Sequence, residues 1–344
     1  MRIPEENKNR AFDKGIVKNF IKIKYVFSWL SLALLCVVAF IPNRIRDFVA
    51  VLIASILSFL PLTPRRVAYA NMRTAFPDLS AKECRALYRK SLAVGFSVTL
   101  AYAEPSVLPR FLLKRRWKLV GEENLNKALL LKKPIIFVAP HCFAIDRCGL
   151  YLSFCGINMC TMVHAQRNPV YDWFLNQQRL RFGGAVYERS SGLRTLIREL
   201  KNGRSCFFLP DEDLGRESSR FINFLGVPKA TVSTLPKLAK VTDAVTMQLF
   251  SVYNLKTANF EVHFSKPFEN FPSNDLEHDL SVMNQHIEQE LLLHREQYMW
   301  FLRFFKTRPD ESYPDIYENT HLSLLKKGKS IDYAARRRPF VENG

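Results

Sequence analysis

Two uncharged stretches begin the pattern: residues 25–41 read YVFSWLSLALLCVVAFI and, after PNRIRD, residues 48–60 read FVAVLIASILSFL. At 1.5 Å per helical residue the first reaches about 25 Å, slightly short of a roughly 30 Å hydrocarbon core, so it predicts a membrane-anchoring helix helped by thinning or interfacial flanks. The second is too short to span comfortably. It predicts an interfacial helix, the return arm of a shallow hairpin, or a buried helix. The lead before residue 25 is too long for a cleaved signal peptide, and no small-residue A-x-A site follows the apolar run.

Residues 62–130 read as helical, with Ser80 and Glu83 at the spacing of a capping box. From 131 the texture changes. Short strand-type runs at 134–140, 157–163, 205–210, 244–253 and 259–264 alternate with helical stretches near 143–155, 168–182, 192–202 and 232–240. That alternation predicts an α/β fold, a mainly parallel central sheet flanked by helices. Residues 276–305 read as one helix with an aromatic end, and a basic, poorly patterned tail follows beyond about 315. The expected division is a basic lead over 1–24, an anchor over 25–61, the main domain over 62–312 and a tail over 313–344.

Charge narrows the partners. Across 344 residues, 50 Lys and Arg face 32 Asp and Glu, a formal charge of +18 that suits nucleic acid, an acidic protein or a phosphate-bearing lipid surface. The apolar runs favour the membrane among these. Positive flanks on both sides of the first run give no clean positive-inside asymmetry. Seven cysteines at 36, 84, 142, 148, 155, 160 and 206 include no CxxC pair, which argues against a disulfide framework or zinc motif and for a reducing compartment. The main domain is therefore expected on the cytoplasmic side of the membrane.

Candidate chemistry collects at two strand ends. His141 follows the run 134–140 and Asp146 lies five positions on, so about one turn of chain lets the carboxylate fold back on the imidazole. Such a pair fixes the tautomer and leaves the other nitrogen free to take a proton. The alternative is a capping histidine beside a solvated aspartate. Asp211 and Asp213 in LPDEDLG follow the run 205–210, a D-x-D that also fits a metal-dependent glycosyltransferase. Arg179 is either a phosphate fork or a salt-bridged helix residue, and Arg189 is a second candidate of the same kind. Cys142 is a remote candidate for an acyl-enzyme, since neighbours at a strand end point apart. His164, His263 and His286 have no partners at catalytic or metal spacing and are expected to be structural. The aromatic string Trp300, Phe301, Phe304, Phe305 is expected to pack on the body or rest on lipid.

PHCFAID resembles the H-x-x-x-x-D signature of glycerolipid acyltransferases, and the flanking blocks are similar to the late acyltransferases of lipid A biosynthesis. Those blocks are ANMRTAFPDLSAKE (70–83), NPVYDWFLNQQRLRFGG (168–184), ERSSGLRTLIRELKNG (188–203), FFLPDEDLG (207–215) and REQYMWFLRFFKTRP (295–309). The PDED form and the QYMW…KTRP ending most resemble the last-step, myristoyl-type enzyme. The resemblance implies transfer of a fatty acyl chain from acyl carrier protein to a hydroxyl on an acyl chain of a Kdo-bearing lipid A precursor, at the cytoplasmic face of a bacterial inner membrane. It implies His141 and Asp146 as catalytic residues, and Arg179, Arg189, Asp211 and Asp213 as substrate-binding ones. No metal, cofactor or nucleic acid is implied. Leu214 departs from the aromatic or histidine ring common in the family. A phospholipid acyltransferase, a D-x-D glycosyltransferase and a basic membrane-binding protein are the rival readings.

Overall fold

The computed structural model describes residues 21–310 together with 18, 312, 313 and 315–317, so most of the basic lead and of the tail lies outside the described residues. Helices come first: α1 (Val26–Val38), α2 (Asn43–Leu57), α3 (Thr63–Ala75), α4 (Ala81–Leu100), and the short α5 (Glu104–Val107) and α6 (Arg110–Lys114). Then β1 (Trp117–Val120), α7 (Glu122–Leu130), β2 (Ile135–Val138), α8 (Ile145–Phe154), β3 (Met159–Val163), α9 (Pro169–Leu180), β4 (Ala185–Glu188), α10 (Leu193–Lys201) and β5 (Ser205–Phe208) alternate. The chain continues through the hairpin β6 (Ser219–Phe224) and β7 (Val227–Val232), then α11 (Thr234–Thr242), β8 (Val245–Asn254), β9 (Asn259–Pro267) and α12 (Leu276–Leu293).

Seven strands form one sheet in the order β1-β9-β8-β2-β5-β3-β4. All neighbours pair in parallel except β8 with β9, so β9 and β1 run against the other five. The expected mainly parallel α/β layer is therefore present. β2 lies at its centre with all four residues buried, as a parallel strand covered on both faces must be. Its alternation splits the core. Ile136 and Val138 pack with α3, α10, α11 and α12, whereas Ile135 and Phe137 pack with α7 and α8.

Several elements escaped the sequence pattern. β1 lies inside the segment read as wholly helical, and β4 and the β6–β7 hairpin were not anticipated. The helix expected over 276–305 stops at Leu293, where Asp275 caps its start and a 3-10 turn over Arg295–Gln297 breaks its end. Trp300, Phe304 and Phe305 are buried beyond it, and only Phe301 faces outward. The capping box at Ser80 and Glu83 forms as expected.

The first apolar run is shorter as a helix than its sequence. Among the described residues no helix is long and apolar enough to cross a membrane. α1 packs on α9 through the Trp29–Trp173 ring contact and the Asn168–Ser28 hydrogen bond of 2.7 Å. α2 is inverted relative to an ordinary surface helix: it turns Asn43, Arg46, Asp47, Ala50 and Ala54 inward and leaves Ile45, Phe48, Leu52 and Ile56 outside. Arg46 reaches the fully buried Glu104, which also draws Arg116 and Arg147 to 3.6 Å. Deleting Glu104 leaves these cations uncompensated, a loss of about 3–5 kcal/mol.

Candidate functional site

Four neighbouring parallel strands, β2, β5, β3 and β4, end at the same edge of the sheet, and each is followed by polar groups. His141 follows β2; Asp211, Glu212 and Asp213 follow β5; His164 follows β3; Arg189 follows β4. Crevices beyond the carboxyl ends of such strands are where α/β proteins bind ligands. Here the crevice opens into a cavity of about 610 Å³. His141, Asp146, Arg179, Arg189 and Glu212 line its polar side, and Leu150, Met159, Val186, Leu196 and Phe207 are among the apolar residues that line the rest. Gly184 is also at the wall, and a Cβ there would lie 2.5 Å from the carbonyl oxygen of Arg179.

The imidazole of His141 is held by Asp211. Nδ1 lies 2.7 Å from Asp211 Oδ1, and the backbone N–H of His141 donates to Oδ2 at 2.7 Å. Tyr298 donates its hydroxyl to the same Oδ2 at 2.9 Å, giving the carboxylate three donors. Because a carboxylate accepts, the proton is on Nδ1 and the lone pair on Nε2. Asp211 is almost fully buried while His141 keeps 22% side-chain exposure. Burial raises the Asp211 pKa, but the charge of His141 and its two hydrogen bonds outweigh that and hold the carboxyl below its ordinary range. For His141 burial works downward, and the charge and hydrogen bond of Asp211 override it, so the imidazole is a stronger base than a free one.

The loop carrying His141 is fixed from behind by residues 297–299. Met299 N–H donates to the His141 carbonyl at 2.9 Å, Phe143 N–H to the Gln297 carbonyl at 3.0 Å, and Cys142 bridges to Tyr298. Tyr298 is itself locked by stacking on Phe304 at 4.3 Å. This explains the QYMW stretch as scaffolding for the histidine. Lys229 on β7 is also fully buried near Asp211 and Asp213; burial lowers its pKa, and the two carboxylates oppose that fall.

Asp146 does not turn back to His141 as the spacing predicted. It faces Arg179, whose Nε and Nη2 donate to Asp146 Oδ1 at 2.9 and 2.7 Å. The reason is geometric: Asp146 sits in the first turn of α8, and α9 packs alongside with Arg179 in its last turn, while Asp211 already occupies Nδ1. Both Asp146 and Arg179 still line the cavity with His141. Arg189 stands at the mouth, 2.7 Å from Glu212 and 3.0 Å from His164 Nε2. Sequence spacing missed Glu212 and treated His164 as structural, because their partner lies on a different strand end.

Asp213 is elsewhere. It accepts from Thr307 N–H at 2.6 Å, Thr307 hydroxyl at 2.7 Å and Gly215 N–H at 3.1 Å, and so clamps the KTRP segment. It does not line the cavity. Asp211 and Asp213 thus take different hydrogen-bond partners among the described residues, Asp211 on the His141 loop and Tyr298, and Asp213 on Gly215 and Thr307. Cys142 is fully buried, away from the cavity wall, and burial pushes its thiol well up, so it is not positioned as a nucleophile. His286 stacks on Phe268 at 4.2 Å, in keeping with a structural role.

A polar rim at the carboxyl edge of a parallel sheet, opening into an apolar cavity, defines the class: an α/β enzyme whose site joins charged and lipid-like surfaces. The family is specific. The model of the bacterial lipid A biosynthesis acyltransferases matches residues 14–307, and the chain belongs to that family. It is 32% identical over 300 residues to a lipid A biosynthesis acyltransferase of Haemophilus influenzae, covering 87% of this chain and 93% of that protein. It is 30% identical over 305 residues to the lipid A biosynthesis myristoyltransferase of Escherichia coli, covering 87% and 94%. Identity to the lauroyltransferase of the same organism is lower, 24% over 302 residues, covering 86% and 95%.

Proposed function

We propose that this acyltransferase moves a fatty acyl chain from acyl carrier protein to a hydroxyl of an acyl chain on a Kdo-bearing lipid A precursor, with His141 as general base. The observation that carries the reading is the 2.7 Å contact of His141 Nδ1 with buried Asp211, with the ring lining an apolar cavity. A secondary alcohol is a poor nucleophile until its proton is removed. Nε2 of His141 takes that proton as the alkoxide oxygen attacks the thioester carbonyl. Collapse of the tetrahedral intermediate breaks the carbon–sulfur bond, and the imidazolium returns the proton to the departing thiolate. Products are an ester and a free thiol. Asp211 orients the ring and stabilises its charged form, and Asp146 holds Arg179 on the wall, where the guanidinium meets anionic parts of the substrate.

The apolar helices support action at a membrane surface, and we assign the protein to the cytoplasmic face of the bacterial inner membrane. Phe27, Leu30, Leu34 and Phe40 of the first run and Phe48, Leu52 and Ile56 of the second point outward. Lys22, Lys24 and Arg44 are exposed beside them. An apolar face buried roughly 5–10 Å into the headgroup boundary, with flanking cations on anionic lipid, anchors without spanning. Because α1 packs on α9, which carries Arg179, the lipid face and the cavity are mechanically joined.

Full-length protein in mixed micelles, given acyl carrier protein loaded with a C12–C16 chain and a Kdo-bearing precursor, is expected to add one acyl mass to the precursor and none to glycerol 3-phosphate. His141→Ala is expected to lower the rate about 10²- to 10⁴-fold. Near-wild-type turnover in that variant, or acylation of glycerol 3-phosphate instead, removes the reading.

A further inference from the structure

β9 and the end of α12 assemble a cluster that acyl transfer does not use. One ligand atom each from His263, Glu290 and His294 lies within 4.8 Å of the others. His263 Nδ1 is 3.1 Å from Glu290 Oε2, and His294 Nε2 is 4.0 Å from the same oxygen. We propose that these three side chains bind one divalent transition-metal ion of the zinc type.

The geometry fits such an ion. Bonds of about 2.0–2.2 Å in tetrahedral arrangement separate neighbouring ligand atoms by roughly 3.3–3.5 Å, and the two distances bracket that range. Glu290 and His294 stand four residues apart at the end of one helix, and the strand supplies the third donor, so two rigid elements fix the set. Two imidazoles with one carboxylate suit zinc and its neighbours, whereas calcium and magnesium prefer all-oxygen shells.

The outer partner is in place as well. His263 Nε2 is 3.4 Å from Glu261 Oε2, and Asn254 Nδ2 donates to the other Glu261 oxygen at 2.9 Å. A metal-bound histidine ordinarily donates its second ring N–H to a carboxylate, which leaves the first nitrogen's lone pair for the ion. His263 is 11% exposed, His294 25% and Glu290 29%, so the cluster is sheltered yet open to an entering ion and to water in the fourth position.

The role is structural. None of the three residues lines the cavity. The His294 carbonyl accepts from Gln297 N–H at 3.0 Å, and Gln297 and Tyr298 back the His141 loop. An ion at His294 pins the turn that presents them. Without an ion, His263 bridges Glu290 and Glu261 by hydrogen bonds, and binding experiments separate the two states.

Chelator-stripped full-length protein in detergent is titrated with Zn²⁺ and, separately, Co²⁺. One equivalent of Zn²⁺ should bind, and the Co²⁺ form should show tetrahedral d–d bands without thiolate charge transfer, which sets this site apart from the seven cysteines. His294→Asn and Glu290→Gln should weaken Zn²⁺ by about tenfold or more, and Glu261→Gln by roughly 10- to 100-fold. Wild-type protein that binds no Zn²⁺, a thiolate-type cobalt spectrum, or folded variants that keep wild-type affinity each overturn the proposal. If a variant fails to fold, the cobalt spectrum and stoichiometry of the wild type alone decide.

Discussion

His141 and Asp211 are 70 residues apart in the chain and 2.7 Å apart in space, whereas Asp146, five residues from His141, is bonded to Arg179. The carboxylate that orients the imidazole thus comes from the next strand of the sheet, and the H-x-x-x-x-D spacing marks two residues of one cavity wall. Replacing the two aspartates should therefore have unequal effects. Asp211→Asn is expected to lower kcat about 10³- to 10⁴-fold by favouring the wrong tautomer. Asp146→Asn should leave His141 oriented and act mainly on KM through a loosened Arg179. Steady-state kinetics of both variants checks this, and equal kcat losses would reverse the assignment.

The pH profile follows from the direction of the His141 shift. Proton abstraction needs the neutral ring, and Asp211 raises the ring's pKa, so kcat/KM should fall with acid at a pH above the ordinary imidazole value. Asp211→Asn removes the raising influence and leaves burial, so residual activity should lose its acid limb at lower pH. The stability contribution has the opposite sense: that of His141 is present at low pH and fades as pH rises through its folded pKa, while that of Asp211, whose pKa is lowered, fades as pH falls.

Tyr298→Phe removes one donor from the buried carboxylate and little else, since the ring keeps its stacking on Phe304. A stability loss of about 1–3 kcal/mol is expected by denaturant unfolding, with a fall in kcat larger than the change in KM.

Gly149 lines the cavity on α8, and a Cβ there would meet only the Phe207 ring, at 4.0 Å. Gly149→Leu should fold, gain helix propensity and shorten the apolar space. Competition between acyl donors is expected to shift toward shorter chains in the product.

Charge placed on the outward face of the first helices should release the protein from lipid. In flotation with anionic vesicles, Leu34→Glu combined with Phe48→Glu is expected to leave the bound fraction, while folding, read by circular dichroism, is retained because both side chains are largely exposed.

The central layer was legible because its signal is local: short apolar runs such as 135–138 bounded by turn residues, and helices such as 169–180 with apolar periodicity. β1 was not legible, since its four residues alternate in burial and gain their register from β9 far along the chain, and the β6–β7 hairpin was not, since its apolar residues are interspersed with polar ones such as Ser219, Arg220, Asn223, Lys229 and Thr231. The same limit applied at the site. Spacing could pair His141 with Asp146 but not with Asp211, and could not show that Arg189 meets both His164 and Glu212, because those meetings depend on the order of strands in the sheet. The inward polar face of α2 was equally hidden, since the pattern records which residues are apolar and not which way they turn.

The backing of His141 by residues 297–299, with Asp213 clamping Thr307, has a consequence for synthesis of the chain. The helices α1 and α2 are translated well before the segment around 297–307, and the histidine loop gains its support only when that segment has been made. Until that late stretch has folded back, His141 lacks the backbone contacts that hold its loop beside Asp211.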